Sequence, residues 1–324
     1  MVVGYPVSFV TPFLTTSEVL KPDQYHDSNH PHIVSSATVE TYGHSHAPMT
    51  IRIGNGGLGP SGLVGHLAER FLQDRQLTEQ VKFEWVCNHS RHSQVALQAG
   101  IVDVAMTYER TEEARAEAEG WSISKGVFCH DHFLLVGPRS NPAGLPSAAT
   151  IQEALARIAA GNMCFHTRGD GSATMHQEHA LWETAGVPFE LRSRSSWYVR
   201  HPLTPREALV KANEQGAYLL TDRATFLPAV KLGEIQDMAV YVEAGSNMMN
   251  SCALGIRSSE RRTIVLDFVN WLQEDRAQDI LASYAQDWEM GLPLVTPREA
   301  PEFVSQHELR HRFAPHSESQ SGAC

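Results

Sequence analysis

The densest chemistry in the chain lies at residues 165–178, which read FHTRGDGSATMHQE. Arg168 offers a planar fork of N–H donors that matches a carboxylate or an oxyanion. Ser172 and Thr174 add hydroxyl groups, Asp170 is a local counter-charge, and Gly169 and Gly171 let backbone N–H groups approach a ligand closely. Thr174 and Gln177 have the spacing of a capping box, so the loop is expected to present a helix N-terminus, where negative charge is favoured. His176 and His179 stand three apart on a helical face without a third ligand, and no metal site is expected there.

Three further groups could act with this loop. LLTDRATF ends an apolar run with Thr221, Asp222 and Arg223, which a parallel sheet would set beside Arg168, so that two arginines converge on one cleft. GNGGLG places Gly54, Gly56 and Gly59 in a G-x-G-x-x-G spacing. The next strand, however, ends Cys87-Asn88-His89 and lacks the acidic residue a dinucleotide would need, so no cofactor is implied. Asn55, Gly56 and Gly57 are instead expected to form a backbone cradle for a small anion. In the third group, His130 and His132 of CHDHF share one face of a strand, and His89 ends another. Under an alternative reading these three histidines move protons in a cofactor-independent enzyme of specialised metabolism acting on an anionic organic substrate.

The elements that must hold these groups follow from hydrophobic periodicity. Ile51 and Ile53 alternate as in a strand, Leu63, Leu67 and Phe71 form a helical stripe, and VKFEWVC and IVDVAMTY read as further strands. A helix-like segment leads to the strand HFLLVGP, His132 to Pro138, and beyond RSNPAGLPSAAT comes a second run of the same kind that includes the strands around Phe165 and Leu220. This alternation predicts an α/β fold with parallel sheets and helices on both faces. In such folds ligands sit beyond the carboxyl ends of strands, where both glycine-rich loops lie.

The bulk numbers bound the function. At 324 residues the chain can form two domains, and 42% hydrophobic with 19% charged residues fits a globular protein. A net charge of −11 argues against nucleic acid as a partner, and no apolar run is long enough to insert in a membrane. The five cysteines are scattered with no C-x-x-C, which suits reduced thiols in a reducing compartment. The first residues have no basic n-region, and Pro6 and Pro12 interrupt their apolar run, so the expected localisation is cytoplasmic.

The order of ALQAGIVDVAMTY, HDHFLLVGPRSNPAGL, HTRGDGSATMHQE and GAYLLTDRATF resembles the tungstate-binding, TupA-like members of the periplasmic binding protein superfamily, over roughly residues 50–295. The resemblance implies a two-lobed type II binding-protein fold that holds an oxyanion between its lobes, with pocket roles for Arg168, Ser172, Thr221 and Arg223. It departs from the family at Gly54-Asn55-Gly56-Gly57, where relatives carry a Thr/Ser-rich turn. The expected organisation is an arm at 1–48, a first lobe at 49–133 plus 246–300, a second lobe at 134–245 and a tail at 301–324. The expected function is binding of a small anionic ligand by hinge closure, with an ABC permease as partner only for an exported protein.

Overall fold

The computed structural model describes residues 34–299 except Ala148, Gly171, Ala244, Gly245 and Asp287, together with a two-residue strand at Val19–Leu20. Gly171, most of the arm and the tail therefore lie outside the described residues. The remainder is built on one eleven-stranded mixed sheet. One half of it runs in the order Glu40–Gly43, Val81–Cys87, Met49–Asn55, Val104–Thr107 and Met249–Arg257. The other half contains Tyr218–Asp222, Phe165–Thr167, Tyr198–Arg200 and Met238–Val242. The strand Ser122–Pro138 joins the halves: residues 122–132 pair with Met249–Arg257, and residues 133–136 pair with Tyr218–Asp222. Fold and connectivity are those of an α/β protein with two lobes, as the alternating pattern requires.

Two expectations need revision. The sheets are parallel only in part, because Ser122–Pro138 runs antiparallel to every strand it pairs with. That strand is also 17 residues long and begins at Ser122, ten residues before the apolar run at His132. Its first residues, from Ile123 to Val127, are exposed or half-buried and include Ser124, Lys125 and Gly126, so they lack the continuous apolar signature of a buried strand.

The core follows the two-residue period of that strand. Leu134 and Val136 point into a cluster that reaches from Ile51 and Phe71 to Phe226. Phe133 and Leu135 point into a second cluster around Trp182, Phe165 and Leu155. The helices Thr263–Trp271 and Asp275–Ala285 return to the first lobe, where Phe268 meets Phe71 at 5.2 Å between ring centroids. Offset and edge-on aromatic contacts of this kind add to the burial of the rings themselves.

Candidate functional site

Arg168 follows the last residue of the strand Phe165–Thr167 and precedes the helix Ala173–Thr184. Gly169 takes φ of +61°, and a Cβ there would lie 2.3 Å from Arg200 Nε, so glycine is required on both counts. Arg200 in turn donates to the Gly169 carbonyl at 2.7 Å, which fixes the turn. Ser172 caps the helix by accepting from the Met175 N–H at 3.4 Å, two residues before the expected Thr174 cap. The first-turn residues Ala173 and Thr174, whose N–H groups have no intrahelical carbonyl to bond, line a cavity between the lobes.

That cavity is about 410 Å³, within the usual range for sites that bury small organic molecules. Arg168, Asp170, Ser172, Thr174 and Asp222 line it from the second lobe, with the segment 202–206 closing one side. Gly56, Gly57, His89, Tyr108, Asp131 and Asn250 line it from the first lobe and the crossing strands. The Arg168 guanidinium is 5% exposed; its Nε donates to Asp170 Oδ2 at 3.0 Å and its Nη2 to Ser172 Oγ. Its Nη1 has no protein hydrogen bond among the described residues. Burial would push the Asp170 carboxyl up, but Arg168, His89 across the cleft and Ser172 outweigh it and hold it at about 2. Asp170 is therefore a fixed negative charge beside the arginine.

The glycines of the first-lobe turn serve packing as well as approach. A Cβ on Gly59 would fall 2.0 Å from the Trp85 ring, and one on Gly56 would fall 2.9 Å from the Asn88 carbonyl. Asn55 is fully buried and shapes this turn: its Oδ1 accepts from the Leu58 and Gly59 N–H groups, and its Nδ2 donates to the Met106 carbonyl. Asn55 therefore supports the cradle without lining the cavity. Gly57 does line it, and its N–H has no partner among the described residues.

A second arginine links the lobes. Arg91, on the helix Ser90–Gln98, donates from Nε to Glu109 Oε2 at 2.7 Å and contacts His176 of the other lobe at 2.7 Å. Burial pushes Glu109 up to about 7 despite the arginine, and burial together with Arg91 lowers His176 to about 4. His176 is thus neutral at pH 7 and can accept a hydrogen bond from the Arg91 guanidinium.

Comparison with known proteins gives this cleft a lineage. Residues 50–279 match the model of the PBP superfamily domain. The chain belongs to that superfamily. Over 248 residues it is 27% identical to the tungstate-binding protein TupA of Peptoclostridium acidaminophilum, covering 74% of this chain and 82% of that protein. A stretch of 128 residues is 33% identical to a protein of Haloferax volcanii named as an ABC transporter anion-binding protein, covering 40% of this chain but only 36% of that one. The solved structure of the tungstate ABC transporter from Geobacter sulfurreducens superposes with a TM-score of 0.65 at 24% identity, over 74% of this chain and all of that one. The type II binding-protein fold is therefore shared with the TupA-like proteins.

Several residues singled out in the sequence lie elsewhere. Arg223 is fully buried, forms an ion pair with Glu243 and donates from Nη1 to the Pro293 carbonyl at 3.3 Å, so it does not line the cavity. Thr221 faces away because strand side chains alternate, and its neighbour Asp222 takes the inner position. The same alternation decides the His-Asp-His run. His130 contacts Ser251 Oγ at 2.7 Å and the Arg298 carbonyl at 3.0 Å, and neither it nor His132 lines the cavity, whereas Asp131 between them does. Of the three candidate catalytic histidines only His89 reaches the cleft. Tyr108 and Asn250 were not singled out, although Tyr108 closes the strand run IVDVAMTY, a strand-end position in which ligand residues commonly occur. Among the described residues no group of three or more His, Cys, Asp or Glu side chains could hold a metal ion, and no helix is long and apolar enough to cross a membrane.

Proposed function

We propose that this chain is a solute-binding protein that holds a small anion, an oxyanion or a carboxylate, between its lobes. The observation that carries the reading is the buried Arg168 beside a helix N-terminus, with one guanidinium nitrogen left for a ligand, in a chain of the PBP superfamily. The anionic group would bond Arg168, Ser172 and the first-turn N–H groups from one lobe and the Gly57 N–H from the other, so that binding favours closure. The names of the TupA relatives support an anion as ligand. The histidine-based enzyme alternative draws no support from the positions of His130 and His132, which lie outside the cavity.

A thermal-shift series with tungstate, molybdate, sulfate, phosphate and a panel of carboxylates tests the reading. At least one anion should raise Tm by several degrees in the wild type and not in Arg168→Ala. No shift with any anion would overturn it. A cytoplasmic setting is part of the same proposal, supported by the scattered cysteines, whose spacing suits a reducing compartment. Cell fractionation tests it, and recovery of the protein outside the cytoplasm would make an ABC permease the partner to seek.

A further inference from the structure

We infer that the ligand of this cleft is an amino-carboxylate: an organic molecule whose carboxylate meets Arg168 and whose ammonium group meets Asp131 and Asp222. The inference rests on the anion-binding reading at the Arg168 end alone. Both arginines that line the cavity already have a carboxylate partner, Arg168 in Asp170 and Arg206 in Glu234. The two aspartates on its other side feel a cation only from a distance, Arg223 acting on Asp131 and Arg168 on Asp222. Asp131 accepts from the His132 N–H at 2.7 Å and Asp222 from the Thr225 N–H at 2.8 Å, and neither lies within ion-pair distance of a Lys, Arg or His among the described residues. A purely anionic ligand would bring more negative charge to a wall whose positive groups are already balanced. Burial favours the neutral form of both carboxyls, and one ammonium group would supply the counter-charge that lets them ionise.

Two further observations call for an organic body. Tyr108 Oη is buried, lines the cavity and has no hydrogen-bond partner among the described residues, whereas buried hydroxyls are normally satisfied. The cavity also extends past the polar groups along Trp85, Pro60, Leu203 and Pro228, which offer nothing to a bare tetrahedral oxyanion but suit an aliphatic or aromatic side chain.

The test uses matched probes on the full chain by calorimetry: phenylalanine against 3-phenylpropionate, norleucine against hexanoate, phenethylamine alone, and sodium tungstate. The wild type should bind each amino-carboxylate at least tenfold more tightly than its deaminated match, and phenethylamine weakly. Asp222→Asn should erase that preference while retaining the helix cap, because asparagine caps as well as aspartate. Burial raises both empty carboxyls, so amino-carboxylate binding should also release protons, read as a dependence of the heat on buffer ionisation. Tungstate binding with no preference within the matched pairs would overturn the inference and leave the anion-binding reading intact. Amino-carboxylate binding unaffected by Arg168→Ala would overturn the anion-binding reading, and no binding of any probe would overturn both.

Discussion

At the end of the strand Phe165–Thr167 the chain places Arg168 in a loop, and at the end of Tyr218–Asp222 it places Arg223 in the first turn of a helix. Both are nine-tenths buried or more, and both are paired with a carboxylate. Their partners make the difference. Asp170 lies two residues from Arg168 and takes one edge of its fork beside a cavity, whereas Glu243 lies 1% exposed in the interior and turns Arg223 inward. A buried arginine thus marks a ligand site only when its counter-ion leaves donors facing space, and otherwise it marks the inside of the fold.

Breaking the interior pair gives the largest expected effect. Glu243→Ala strands a buried guanidinium and should destabilise the protein by about 3–5 kcal/mol, measured by urea denaturation, without a matching loss of affinity per folded molecule. If Arg168→Ala proves equally destabilising, the distinction between the two arginines fails. The expected result is a smaller loss of stability with a ligand affinity reduced by about 1.5–3 kcal/mol, the worth of a charge-assisted hydrogen bond. Ser172→Ala should remove both a helix cap and an Arg168 partner, costing about 1 kcal/mol in stability and weakening the ligand less than Arg168→Ala does.

Arg91 is the intermediate case, and pH sharpens it. His176, lowered to about 4 from an ordinary 6.5, gives stability that is present above pH 6.5 and lost as pH falls through 4. Glu109, raised to about 7 from 4.5, acts oppositely: its contribution is present below pH 4.5 and lost as pH rises through 7. The two trends offset each other in the wild type. Glu109→Gln should leave the acid-side loss alone, so its stability should fall more steeply than wild type from pH 6.5 to 4 in denaturation curves.

How much of this was legible follows the range of the interactions involved. The Arg168 loop could be read because its glycines, hydroxyls and counter-ion lie within seven residues, from Arg168 to Thr174. The fate of Arg223 could not, because Glu243 lies twenty residues further along and meets it only through the sheet. The His-Asp-His run showed that 130 and 132 share a face, but period alone does not say which face meets the cavity. That depends on the register of Ser122–Pro138 against its neighbours. Tyr108 was hidden for a related reason, since its orphan hydroxyl exists only once the lobes enclose it.

The uninterrupted strand Ser122–Pro138 has a mechanical consequence. It belongs to both lobes, and its partner changes between His132 and Phe133, so a closure of the lobes would turn about that point like doors on one axle. Asp131 sits one residue from the axle, and Asp222 pairs directly with Phe133. Groups on the axle move least, while the Arg168 loop, two strands away in the sheet order, swings on a longer lever. Arg168 and Asp222 belong to one lobe, so a ligand would meet both in the open protein and gain the Gly57 N–H of the other lobe as the door shuts.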